Sequence, residues 1–183
     1  MPAEWPRLLL EGRPGSGKTT AAARLVELMR ADGVSVSGFL TRELRAGGRR
    51  VGFALETLDD RRGILAHVGI REKPRVGRYG VALDDLERLA IPALRADAEL
   101  IVVDELGKME LASARFRDAV TALFERHLAI VATVHIHAHP FTDQLKHRPS
   151  VTVLRLTLSN REDLPAAIAA RIVHSLNQPG EPR

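Results

Sequence analysis

Hydrophobic positions along the chain fall into two periods. Short apolar runs, Leu8-Leu9-Leu10, Leu100-Ile101-Val102-Val103 and Leu128 to Val134, have the length and composition of strands buried on both faces of a parallel sheet. Elsewhere apolar residues recur every three to four positions. Ala22, Leu25, Val26, Leu28 and Met29 do so between Thr20 and Arg30, Leu83, Leu86, Leu89, Ala90 and Leu94 between Leu83 and Leu94, and Ala114, Phe116, Val120, Leu123 and Phe124 between Ser113 and His127. Each set lines one face of a helix. The first helix is expected to stop at Asp32-Gly33, where glycine frees the backbone to leave the helical turn.

The middle of the chain breaks the alternation of strand and helix. Val34 to Thr41 and Arg50 to Thr57 read as strands on either side of Ala46-Gly47-Gly48-Arg49, which predicts a β-hairpin. Ile64 to Val68 adds a short strand after the Asp59 to Gly63 turn. Gly69 to Gly80 shows no burying period and is expected to be a mobile loop. Toward the end, Phe141 to His147 predicts a short helix, Val151 to Leu156 a strand, and Arg161 to Leu176 a helix capped by Ser159 or Asn160. Asn177 to Arg183 reads as a polar tail. The expected fold is α/β: a mostly parallel central sheet flanked by helices, with an antiparallel hairpin insertion near residues 34–57, all within one domain spanning residues 1–183.

Composition narrows the chemistry. With 183 residues there is enough chain for one full core. No cysteine is present, which excludes a disulfide framework, a thiolate metal site and a cysteine nucleophile. No apolar run approaches the roughly 18 residues of a membrane span, and the first residues lack a secretory pattern, so a cytoplasmic location is expected. A net charge of +4 spread over scattered arginines gives no strong nucleic-acid signal. The sequence does not give the oligomeric state; a monomer is the working expectation.

Gly12-Arg13-Pro14-Gly15-Ser16-Gly17-Lys18-Thr19 then supplies a chemistry. Two glycines, a lysine and a hydroxyl residue at this spacing, between a strand and a helix, form a loop whose backbone N–H groups surround phosphates. Lys18 is expected to reach the β- and γ-phosphates and Thr19 to ligate Mg2+. The apolar strand Glu99 to Asp104-Glu105 ends in two acids at the carboxyl edge of the sheet, where ligands bind in this fold class. Asp104 suits Mg2+, held through a water, and Glu105 suits the orientation or deprotonation of an attacking water. His135, His137 and His139 alternate after the next strand, which permits a metal site, although a polar sensor near the γ-phosphate at Thr133 or His135 is the favoured reading.

Taken together, the sequence resembles the small nucleoside-triphosphatase family of thermophilic archaea and bacteria, known in animals as the cancer-related nucleoside-triphosphatase. The resemblance rests on Gly12 to Thr20, Ser37 to Glu43, Arg75 to Tyr79, Val103-Asp104-Glu105-Leu106-Gly107-Lys108-Met109-Glu110-Leu111, and Ala132 to His135. It implies a RecA-like P-loop domain that hydrolyses ATP, GTP, CTP and other nucleoside triphosphates with little base selectivity. It further implies Lys18, Glu105 and Lys108 as catalytic residues, with Gly12 to Thr20, Asp104, Glu105 and Gly107 around the nucleotide and Mg2+ on Thr19 and Asp104. Arg42, Arg75, Arg78 and Arg115 are candidates for an arginine finger. Two other readings remain open on the same scaffold: a small-molecule kinase with an acceptor pocket under the hairpin and the 69–80 loop, and a nucleotide-gated switch for RNA or a protein.

Overall fold

A computed structural model describes residues 5–178. One nine-stranded sheet runs through the molecule in the order β5-β6-β4-β3-β2-β7-β8-β1-β9. Its strands are β1 (Arg7–Gly12), β2 (Val36–Ala46), β3 (Arg49–Thr57), β4 (Arg62–His67), β5 (Arg75–Val76), β6 (Tyr79–Val81), β7 (Leu100–Leu106), β8 (Ala129–His135) and β9 (Val151–Arg155). The helices are α1 (Lys18–Ala31), α2 (Leu83–Arg95), α3 (Ala114–Leu123), α4 (Pro140–Lys146) and α5 (Leu164–Leu176).

Strands β2, β7, β8, β1 and β9 pair in parallel, as their apolar runs predict. Successive side chains point to opposite faces, so each run feeds two cores. Leu8, Leu10, Leu100, Val102, Ala129 and Val131 pack under α1 and α5, whereas Leu9, Ile101, Val103, Ile130 and Ala132 face α2 and α3. Gly38 is required where β2 meets β7: its φ is +118°, and a Cβ there would collide with the Val102 backbone. All functional loops leave from the carboxyl ends of this parallel half.

The antiparallel part is larger than a hairpin. β2 continues to Ala46, pairs with β3, and is followed outward by β4, β6 and β5 in a four-strand wing. The mobile loop expected over 69–80 is therefore corrected, since it contains β5 and the start of β6 and buries Tyr79 and Gly80. Strands of two and three residues are too short to show a period. Arginines fasten them: Arg75 donates to the carbonyls of Ile70 at 2.7 Å and Arg78 at 2.6 Å, and Arg78 donates to the Arg50 carbonyl and to Tyr79 Oη. The Tyr79 ring meets Phe53 edge-on at 5.4 Å.

Two helix boundaries also differ. α3 ends at Leu123, short of the expected His127, because Glu125 and Arg126 turn back on the carbonyls of Ala122 and Leu123. Arg126 then ties the turn to the Leu94 and Ala96 carbonyls. α5 begins at Leu164, and the Asn160 side chain accepts from Thr157 N at 2.8 Å, closing the turn after β9 instead of capping the helix. Of the expected polar tail, residues 179–183 lie outside the described residues.

Candidate functional site

The loop from Gly12 to Gly17 turns between β1 and α1 with Gly15 at φ +76° and Gly17 at φ +92°, conformations that L side chains resist. Ser16 N donates to the Arg13 carbonyl at 3.1 Å, which curls the loop. Ser16 Oγ is buried without a partner among the described residues. A Cβ on Gly12 would strike Ser16 Oγ, so the glycine lets the loop close. Lys18 is buried, donates to the Gly12 and Arg13 carbonyls at 3.1 and 3.3 Å, and lies 3.6 Å from Glu105 Oε2. Arg13, Pro14 and Thr20 frame the loop from positions open to solvent.

β7 delivers both expected acids to the loop. Asp104 is 1% exposed and accepts hydrogen bonds from Thr19 Oγ1 at 2.7 Å, Thr133 Oγ1 at 2.6 Å and Thr41 Oγ1 at 3.3 Å. Burial raises its pKa above the ordinary carboxylate range, partly opposed by the bonds from Thr133 and Thr19. No cationic side chain pairs with it among the described residues. A buried carboxylate beside a threonine hydroxyl, lacking a protein cation, is a fitting pair of hard oxygen donors for a divalent cation that takes its remaining ligands from phosphates and water.

Glu105, joined to Asp104 by a cis peptide, stands between two partners. Its Oε2 faces Lys18, and its Oε1 lies 2.7 Å from His135 Nε2. Gly107 makes room for it: a Cβ there would sit 2.8 Å from Glu105 Oε1 and 3.0 Å from Glu110 Oε2. The Gly107 N–H donates to Glu110. Glu110 is buried, and desolvation together with the charge of Glu105 pushes its pKa up to about 8. The sequence reading missed Glu110, although its place in the Asp104 to Leu111 run was a usable signal. Lys108 is exposed and lines a cavity beyond Glu105.

The three histidines border one cavity but take different partners. His135 pairs with Glu105 and stacks on His137 with ring centres 6.2 Å apart, while His139 Nδ1 accepts from Phe141 N at the start of α4. Among the described residues no three His, Cys, Asp or Glu side chains are grouped to hold a metal. Of the four arginine candidates, Arg42 borders the loop, in a cleft of about 660 Å³ shared with Gly15, Lys18, Thr19 and Glu105. Arg75 and Arg78 are spent on the wing, and Arg115 pairs with Glu87 at 3.0 Å. Arg161, absent from that set, also lines the cleft, and its Cδ lies 3.4 Å from where a Gly17 Cβ would be. It follows β9 in a polar turn that offers no motif.

With this geometry in view, known proteins are informative. A profile of the NTPase family matches residues 7–169. The chain belongs to this family. Nucleoside-triphosphatase THEP1 of Thermotoga sp. (strain RQ2) is 40% identical over 161 residues, 86% of this chain and 90% of the relative. The THEP1 of Methanopyrus kandleri is 40% identical over 176 residues, 93% of this chain and 97% of that one. The solution structure of a human cancer-related nucleoside triphosphatase superposes with a TM-score of 0.82 at 37% identity, covering 93% of this chain and 98% of that one. The crystal structure of THEP1 from Aquifex aeolicus gives 0.80 at 33% identity, with coverage of 91% and 98%. The α/β fold expected from the sequence is thus the family's fold. No helix among the described residues is long and apolar enough to cross a membrane.

Proposed function

We propose that the chain hydrolyses nucleoside 5'-triphosphates to the diphosphate and phosphate, with Mg2+ and with broad tolerance of the base. One observation carries the reading: Glu105 is held between Lys18 and His135, one residue beyond a buried aspartate bonded to the phosphate-loop threonine. Thr19 and Asp104 would hold Mg2+, which when bound neutralises charge on the β- and γ-phosphates. The loop amides and Lys18 bind and orient the triphosphate. Glu105 accepts the proton of a water aimed at the γ-phosphorus, and the His135 ring fixes the carboxylate's direction. Such positioning and charge compensation are most of what phosphoryl transfer asks of a protein.

Base tolerance has its own support. On the other side of the phosphate loop a cavity of about 470 Å³ is bordered by Arg13, Pro14, Ile136, Leu156 and Leu158. Ser16, Arg155 and Thr157 also border it, but both arginines are exposed and the apolar side offers contact to a ring of either size, so purines and pyrimidines are accepted alike. The reading is tested by phosphate release from ATP, GTP, CTP and UTP with Mg2+, comparing the wild type with Lys18→Ala and Glu105→Gln. Turnover of all four, lost in both variants, is expected; tight binding without phosphate release would overturn it.

A further inference from the structure

Glu105 also borders a second cavity, of about 320 Å³, that no phosphate-loop residue lines. Its apolar walls are Phe53, Leu65, Val76, Leu106, Met109 and Leu111. Thr41, Phe53 and Glu105 belong to this cavity and to the phosphate cleft, so the two spaces adjoin at the carboxylate. Water attack needs no such chamber: its volume is that of roughly ten waters, and apolar walls hold water poorly. The size falls within the range of sites for small organic molecules. Among the described residues no arginine lines it, and the one lysine that does, Lys108, is exposed. An anionic acceptor would therefore meet the Glu105 carboxylate without a guanidinium among the described residues to hold it. His135, another wall residue, keeps its Nδ1 buried and unpartnered among the described residues. The Glu105 carboxylate accepts from Nε2 at 2.7 Å, so His135 fixes that carboxylate where the two spaces meet.

We propose that this cavity binds an uncharged alcohol with a ring-sized apolar body and presents its hydroxyl to the γ-phosphate beside Glu105. The inference rests on the nucleoside triphosphate being the phosphoryl donor. The alcohol oxygen forms a bond to the γ-phosphorus, and the bond from that phosphorus to the β,γ-bridging oxygen breaks. The nucleoside diphosphate leaves with that electron pair, and the hydroxyl proton passes to the Glu105 carboxylate and then to solvent. The products are a nucleoside diphosphate and a phosphate monoester, with water as the competing nucleophile.

The test incubates the wild-type chain with Mg2+-ATP and millimolar benzyl alcohol, phenylethanol or cyclohexylmethanol, and separates ester from free phosphate by phosphorus NMR. Val76→Trp and Met109→Trp, each enlarging an apolar wall side chain of the cavity, are run beside it, with circular dichroism to establish that each is folded. Ester formed with at least one alcohol, and reduced about tenfold relative to free phosphate in a folded filled variant, is expected. Free phosphate alone with all three alcohols overturns the acceptor cavity and leaves the triphosphatase standing. Ester unaffected in both filled variants also overturns it, since attack then occurs elsewhere. Ester without any hydrolysis in water upholds the cavity and removes the triphosphatase reading; no nucleotide turnover of either kind removes both.

Discussion

His135 Nε2 lies 2.7 Å from Glu105 Oε1, the oxygen opposite the one that faces Lys18. β8 ends at His135 and β7 passes through Glu105, so two adjacent parallel strands fix the pair. A carboxylate restrained from both sides is aimed before substrate arrives. His135→Ala is expected to lower kcat by on the order of 10²-fold, the cost of a misplaced catalytic group, with KM little changed. His135→Gln, which can still donate to Glu105, should recover part of the loss. Steady-state kinetics on ATP check both; a KM effect alone would assign His135 to nucleotide binding.

Asp104 supports the next expectation. Thr133→Val keeps the side-chain shape and removes the 2.6 Å bond to Asp104 Oδ1, leaving a buried carboxylate oxygen unsatisfied. The expected cost is about 1–3 kcal/mol, read as a lower urea midpoint at unchanged slope. A divalent cation should recover more stability in the wild type than in the variant, because the loss of the threonine favours the protonated acid and weakens the oxygen pair.

How much of this was legible in the sequence differs by element. The parallel half was, because runs such as Leu100 to Val103 are buried on both faces and glycines at fixed spacing leave few backbone solutions for the loop from Gly12 to Gly17. Asp104 and Glu105 were legible because a strand's end at the carboxyl edge is where the loop also opens. β5 and β6 were not: their order comes from Arg75 and Arg78 capturing carbonyls, and from Tyr79 meeting Phe53, contacts that link distant segments. Glu110 was visible only as a member of the run from Val103 to Leu111, and its burial comes from the close approach of Gly107 and the short turn Glu110–Ala112.

Glu110 should make stability depend on pH. Its folded pKa, about 8, exceeds the ordinary 4.5, so the native state holds a proton that the unfolded chain releases. Stability then falls as pH rises between 4.5 and about 8, with a slope of at most about 1.4 kcal/mol per pH unit from this group. The raised pKa of Asp104 acts in the same direction. Glu110→Gln keeps the shape without the titration, and urea unfolding at pH 5 and pH 8 should show a smaller difference in the variant than in the wild type. An equal difference would place the titration elsewhere.

The arginines can be ranked by what already holds them. Arg75, Arg78 and Arg115 are committed to carbonyls or to Glu87, away from the loop. Arg42 borders the cleft but is paired with Glu56 at 2.6 Å. Arg161 borders it too, and its ion pair, with its exposed neighbour Glu162 at 3.3 Å, is the more easily exchanged for phosphate. A charge-assisted bond to a triphosphate contributes roughly 1.5–3 kcal/mol, so Arg161→Ala should lower kcat/KM by about 10- to 100-fold. Arg115→Ala should stay within about twofold, since an exposed ion pair contributes little. Arg75→Ala should leave kcat near the wild-type value and lower the unfolding midpoint, because it releases β5 from the wing. Kinetics and urea unfolding on these variants and on Arg42→Ala separate the roles, and a larger kinetic loss in Arg42→Ala than in Arg161→Ala would reverse the assignment.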